Sequence, residues 1–223
     1  MSLKPWTTKF ANIIVIGMPG SGKTTFSKLY ALFSGRTFLD FDDFFEKNTR
    51  KTISEVFIEQ GEEKFRAMES KELRKLDRRK QNVIAMGGGT LLSNDNLAFA
   101  RRLGLIVYLK TNPETLAQRI FKDQSNPAIR IRPLFDQDTT QEKILERINT
   151  LFSERETQYE KADIILPTDY SSLDNLVAQL AAIEQKAQRP DYMRTVNEIM
   201  KRGQKQTPKI EENQEQEPTS VTP

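Results

Sequence analysis

The stretch Gly17-Met18-Pro19-Gly20-Ser21-Gly22-Lys23-Thr24, followed by Thr25, decides the fold. Its glycine spacing, closed by Gly-Lys-Thr, is that of the phosphate-binding P-loop. On its amino side, Asn12-Ile13-Ile14-Val15-Ile16 is short, apolar and β-branched, as a buried parallel strand should be. On its carboxyl side, Phe26, Leu29, Tyr30 and Phe33 recur at helical spacing and stop at Ser34-Gly35. The strand–loop–helix context that the motif requires is therefore in place. Chance would supply the four fixed positions in roughly one chain of this length in a hundred, and the flanking elements lower that further. The glycines let backbone N–H groups curl around phosphate oxygens, and the helix N-terminus adds its positive end. Lys23 would reach the outer phosphates and the Thr24 hydroxyl would hold Mg²⁺. The ATP-binding set drawn from this loop is Gly20, Ser21, Gly22, Lys23, Thr24 and Thr25.

Composition narrows the chemistry. At 223 residues the chain is one domain with room for an appendage, and 37% hydrophobic with 29% charged residues fits a soluble globular protein. No apolar run approaches the ~20 residues that span a bilayer, and the first ten residues lack the apolar core of a signal peptide. With no cysteine there is neither a disulfide framework nor thiolate chemistry, and the cytoplasm is the expected address. The absence of histidine excludes Ser-His-Asp and Cys-His schemes and the usual zinc sites. A general base must then be a carboxylate or a lysine, and a metal must sit on oxygen ligands, which points to Mg²⁺. The net charge of +3 is mild and the signs are interspersed, so no nucleic-acid partner is expected.

Four further apolar runs read as strands, at 37–39, 82–85, 105–109 and 163–166. Helical segments fall at 61–79, 94–103, 113–121, 141–159 and 171–186. The alternation predicts an α/β fold of three layers, α/β/α, around a five-stranded parallel sheet with right-handed crossovers. Ligands in such sheets bind beyond the carboxyl ends of the strands. Residues 1–10 form an N-terminal arm and 11–187 the domain. Residues 122–140, with Pro127 and Pro133 and no helical period, are expected to be a mobile lid. Residues 188–202 would allow one short amphipathic helix, and 203–223 have the composition of a disordered tail.

The chemically suggestive residues stand at or just after the strand ends. Asp40 and Asp42 follow the second strand in Leu39-Asp40-Phe41-Asp42-Asp43. One such carboxylate can hold Mg²⁺ and another can take a proton from an attacking hydroxyl. Asp42 or Asp43 would serve equally as the cap of the next helix. Arg66 stands one turn before Glu69 and would be explained by that i,i+3 pairing alone. Gly87-Gly88-Gly89 ends the third strand, either as a bare shelf for a ligand or as a plain turn.

Taken together these pieces resemble shikimate kinase. The matching segments are 17–25, Leu39-Asp40-Phe41-Asp42, Gly61-Glu62-Glu63-Lys64-Phe65-Arg66-Ala67-Met68-Glu69 and Ile84-Ala85-Met86-Gly87-Gly88-Gly89. Val107-Tyr108-Leu109, Arg132-Pro133-Leu134 and residues 155–163 continue the series, in order, over about 12–185. The resemblance implies a P-loop kinase fold and transfer of the γ-phosphoryl group of ATP to the 3-hydroxyl of shikimate, in aromatic amino-acid biosynthesis. It implies that Asp42, Arg66, Gly87, Gly88, Gly89 and Arg155 bind shikimate, the two arginines gripping its carboxylate. Thr24 and Asp40 become Mg²⁺-linked, Arg132 closes over the ATP phosphates, and Asp42, Lys23 and Arg132 form the catalytic set. The arginine forks and one carboxylate suit a small anion ringed by hydroxyls. Shikimate is the expected partner, with no membrane and no second subunit.

The chain departs from the family in three places. Residues 123–131 look longer than usual, so Arg130 competes with Arg132 for the lid role. Residues 168–172 lack an arginine near the adenine position, leaving Arg119 as the stacking candidate. The tail beyond 188 has no family counterpart. A gluconate kinase would share the loop and lid without needing the Arg66–Arg155 pair, and a nucleotide-binding regulator would be expected to have lost Lys23, Thr24, Asp40 or Asp42.

Overall fold

The apolar runs pair into one all-parallel sheet in the order β2-β3-β1-β4-β5. The strands are β1 (Asn12–Ile16), β2 (Thr37–Asp40), β3 (Asn82–Ala85), β4 (Gly104–Lys110) and β5 (Ile164–Pro167). The helices are α1 (Lys23–Ser34), α2 (Phe41–Thr49), α3 (Ile53–Leu73), α4 (Asn94–Leu103), α5 (Pro113–Gln124), α6 (Gln141–Tyr159) and α7 (Leu173–Ala187). A computed structural model describes residues 12–77, 79–124, 135 and 140–187. The expected arm at 1–10, most of the expected lid with Arg130 and Arg132, and the chain from 188 onward lie outside the described residues.

The P-loop strand is the central one, buried along its whole length. Its side chains alternate between two cores, as the twofold period of a strand demands. Ile13 and Val15 join Val83, Val107, Leu109 and Leu166 beneath α1 and α7, where Phe26, Tyr30, Leu176 and Leu180 close the layer. Ile14 and Ile16 join Ile84, Ile106 and Tyr108 on the other face, covered by Leu97, Leu116, Ile120, Ile144, Ile148 and Tyr159 of α4, α5 and α6. Each large side chain so buried stabilises the fold by about 1.5–3 kcal/mol.

Two polar devices fix the frame. The Asn12 side chain accepts from the Asn82 N–H at 3.0 Å and donates to the carbonyls of Leu103 and Asp77 at 3.1 and 3.2 Å. These bonds lock the amino ends of β1, β3 and β4 together. Gly104 faces Asn12 across the β1–β4 ladder, and a Cβ there would stand 2.6 Å from the Asn12 carbonyl carbon. On the opposite face, Glu184 of α7 accepts both guanidinium ends of Arg36 at 3.0 and 2.8 Å and the Tyr30 hydroxyl, all buried.

The largest difference from the sequence reading is the helix before β3. It starts at Ile53, not 61, behind a capping box in which Thr52 accepts from Glu55 N–H and Glu55 returns to the Thr52 N–H at 2.7 Å. Gly61 breaks it with φ 78° and ψ 173°, a conformation that suits glycine, and the chain resumes as a second helical arm. Phe45, Val56 and Phe65 form a small third core there, the Phe45 and Phe65 rings meeting edge to face at 5.3 Å. This cluster fastens α2 and α3 to each other, apart from the two main cores.

Burial pushes the hydroxyls of Tyr30, Tyr108 and Tyr159 above the usual range of a phenol, the Glu184 charge adding to the effect at Tyr30. A folded value above the unfolded value of ~10 gives stability that is complete below pH ~10 and is lost as pH rises past it. Thermal melts should therefore lose midpoint temperature only above pH ~10, tyrosinate absorbance from these rings appearing together with loss of helical circular dichroism. Ionisation of all five tyrosines in a still-folded protein would contradict this packing. Replacing Gly104 by Ala should cost ~3 kcal/mol or more, read as a lower denaturation midpoint, because the clash is with backbone.

Candidate active site

Helices α2, α3, α4 and α6 each begin behind a side-chain cap, from Asp40, Thr52, Ser93 and Thr140. α1 does not. Its N-cap is Gly22, in the left-handed region at φ 87°, with no side-chain hydrogen bond and no acidic residue in the first turn. The positive end of α1 is thus left open toward the mouth of the loop, as an anion site requires. The loop is held from behind: Ser21 N–H bonds the Met18 carbonyl at 3.1 Å, and Gly20 backs onto Ile120 and Leu116 of α5. The Lys23 ammonium folds across the loop and donates to the carbonyls of Gly17 and Met18, each at 3.0 Å. Thr24 and Thr25 are exposed on the first turn of α1.

Thr24 and Asp40 meet. The Thr24 hydroxyl donates to Asp40 Oδ2 at 3.3 Å, while Asp40 Oδ1 accepts the Asp42 N–H at 3.1 Å. Local reading had left Asp42 or Asp43 as the candidate cap. The cap is Asp40, because α2 begins at Phe41 and places Asp42 in its first turn. Asp42 does not cap α2, and its carboxylate stands beside Gly87 at the end of β3.

The three glycines after β3 each face a different polar side chain. A Cβ on Gly87 would lie 2.7 Å from Asp42 Oδ1, and one on Gly88 would lie 2.9 Å from Arg155 Nη1. A Cβ on Gly89 would lie 2.6 Å from the Arg66 guanidinium carbon. None of the three has a positive φ, so the sequence demands glycine here for space and not for backbone conformation. Asp42, Arg66 and Arg155, from three separate helices, converge on these three successive residues.

Arg66 makes the expected pairing and also reaches the glycines. It pairs with Glu69 at 2.9 Å and Glu62 at 3.2 Å, yet its guanidinium is held against Gly89. Glu69 is buried and also accepts the Thr90 hydroxyl at 2.6 Å, which fixes the arginine from behind. Arg155 is only 6% exposed, and its Nε has no hydrogen-bond partner among the described residues. A buried cationic donor without a partner calls for an anion. Sequence reasoning missed Thr90 and Tyr159. The Tyr159 hydroxyl donates to the Gly88 carbonyl. Its place four residues after Arg155 on one helix was the available signal.

Arg119 lies partly buried on α5, beside the Ile120 that supports Gly20. The segment after β5 instead ties two loops. The Thr111 and Thr168 hydroxyls are 2.6 Å apart, and both Asp169 oxygens accept the Asn112 N–H at 3.1 Å.

An open helix N-terminus facing a carboxylate and two arginines over bare backbone is the arrangement of a P-loop kinase acting on a small anionic acceptor. The family model for shikimate kinase matches residues 19–185. Shikimate kinase from Chlorobium limicola is 34% identical over 168 residues, covering 75% of this chain and 83% of that protein. The solved shikimate kinase from Acinetobacter baumannii in complex with shikimate superposes with a TM-score of 0.70 at 30% identity. It covers 81% of this chain and 96% of that one. A gluconokinase from Sinorhizobium meliloti, with a TM-score of 0.52 and 17% identity, shares the fold alone. The chain belongs to the shikimate kinase family.

The glycine contacts are with the far ends of side chains, so alanine there should displace function before fold. Gly89→Ala should raise the KM for shikimate by about tenfold or more through loss of the Arg66 placement, with the melting temperature within a few degrees of wild type. Unchanged shikimate kinetics would show that Arg66 does not need this position.

Proposed function

We propose that the chain transfers the γ-phosphoryl group of ATP to the 3-hydroxyl of shikimate, with Asp42 as the base. The convergence of Asp42, Arg66 and Arg155 on Gly87, Gly88 and Gly89 carries this reading. Two guanidinium groups, one buried and one held by Glu69, suit the carboxylate of the acceptor through charge-assisted forks. With the carboxylate gripped there, Asp42 is the group left to address the ring hydroxyls.

ATP phosphates would lie against the open end of α1, on the N–H groups of Gly20 to Thr25. Lys23 would exchange its two carbonyl bonds for β- and γ-phosphate oxygens. Thr24 and Asp40 offer a hydroxyl and a carboxylate oxygen 3.3 Å apart, a donor pair that fits Mg²⁺. Among the described residues there is no cluster of three metal-binding side chains, so phosphate oxygens and water would complete its shell. Bound there, Mg²⁺ would neutralise charge on the transferring phosphates. Asp42 takes the proton of the 3-hydroxyl as its oxygen attacks the γ-phosphorus in line, and the bond from that phosphorus to the bridging oxygen of ADP breaks. Arg132, outside the described residues, is assigned to the lid over the phosphates, and Arg119 to the adenine side. Most of the catalytic gain comes from holding the two substrates in line and excluding water.

No helix among the described residues is long and apolar enough to cross a membrane. We assign the protein to the cytoplasm and expect it to act as a monomer.

ATP consumption should rise with shikimate and not with gluconate or nucleoside monophosphates. A chain that binds ATP but shows no acceptor-dependent turnover would be a regulator instead. Asp42→Asn should lower kcat by about 10²–10⁴-fold at near-normal ATP affinity. Arg66→Lys and Arg155→Lys should each raise the KM for shikimate while leaving that for ATP within about twofold. A loss of nucleotide affinity would move either arginine to the ATP side.

A further inference from the structure

Tyr159 is 2% exposed, and its ring packs on Tyr108 with centroids 5.2 Å apart. Phenylalanine would fill that space without burying a hydroxyl. The hydroxyl donates to the Gly88 carbonyl and stands beside the Arg155 guanidinium, one turn earlier on α6: a Cβ on Gly88 would lie 2.9 Å from Arg155 Nη1 and 3.6 Å from this oxygen. Burial holds its proton on well above the usual phenol range, so it remains a donor to that carbonyl at working pH. The tyrosine oxygen is therefore a bridge between the buried guanidinium and the glycine shelf.

This bridge orients two groups. By standing against the Arg155 guanidinium where both meet Gly88, it limits where that group can point, including the Nε that has no partner among the described residues. By holding the Gly88 carbonyl toward α6 it turns the N–H of Gly89 to the opposite side, because the intervening peptide is planar and trans. We propose that Tyr159 is a positioning residue for the acceptor carboxylate, acting through the direction of Arg155 and the tilt of the Gly88–Gly89 peptide. It is assigned no part in ATP binding or in the transfer itself. The proposal rests on the reading that Arg155 receives the carboxylate.

Steady-state kinetics of Tyr159→Phe, Arg155→Lys and the double variant test it, with a thermal melt of each. Tyr159→Phe should raise the KM for shikimate by about tenfold, with kcat and the KM for ATP within about twofold and the melting temperature within a few degrees. The two substitutions should be less than additive in kcat/KM, because the tyrosine acts through the arginine. An analogue bearing a hydroxymethyl group in place of the carboxylate should be turned over equally by wild type and Tyr159→Phe. A lowered melting temperature with unchanged KM would make the hydroxyl merely structural and overturn the proposal, as would full additivity. If Arg155→Lys itself left the KM for shikimate unchanged, the carboxylate reading of Arg155 would fall, and the proposal with it. A penalty from Arg155→Lys with none from Tyr159→Phe would sink only the positioning role.

Discussion

Everything in this protein hangs on the burial of β1. It is hydrogen-bonded to β3 on one side and β4 on the other, and it is covered on both faces, so it has no freedom to shift. The loop that leaves its carboxyl end is consequently fixed in space before any ligand arrives. Parallel pairing then brings the ends of β2 and β3 to the same edge, and with them Asp40 and the three glycines. A hairpin architecture would have scattered those groups to both ends of the sheet. The asymmetry of helix capping completes the arrangement. Helices α2, α3, α4, α6 and α7 close their amino ends with side chains, Ser172 accepting from the Asn175 N–H at the last of them, and the helix following β1 leaves its end open where phosphate charge must be met.

The acceptor half is built differently, from close approach. Arg66, Asp42 and Arg155 come from α3, α2 and α6, and they can stand against the backbone only because three residues in a row lack a Cβ. Behind them, Glu69 accepts from Arg66 and from the Thr90 hydroxyl, and Tyr159 donates to the Gly88 carbonyl. Buried polar groups are costly unless each finds a partner, so this network specifies one geometry among the many that long arginines could adopt.

The sequence made much of this legible. Strands of β-branched residues, the loop and its helix are local patterns, and the rule that sites gather at carboxyl strand ends singled out Asp40, Asp42 and the glycines, which the structure brings together at one edge. The arm at 53–60 carries its own signals, a Thr52–Glu55 capping signature and Ile53, Val56 and Phe57 at helical spacing, but Gly61 interrupts the period that would join it to the helix after it. The identity of the α2 cap turned on a helix start shifted by two or three residues, finer than periodicity resolves. The partnerships of Glu69 with Thr90 and of Tyr159 with Gly88 join positions 21 and 71 residues apart. No local pattern encodes such a pairing. Likewise, three glycines in sequence look the same whether conformation or space requires them.

Asp40 offers one oxygen to each half of the site, Oδ2 to the Thr24 hydroxyl and Oδ1 to the first turn of α2. Mechanically it is a coupling pin. A helix that shifts when the acceptor settles must pull on the same carboxylate that steadies the nucleotide end, with no intervening residues to absorb the movement. Communication between the two substrates thus has a route one side chain long, and a redesign that exchanges the acceptor half for another must keep that pin or lose the conversation.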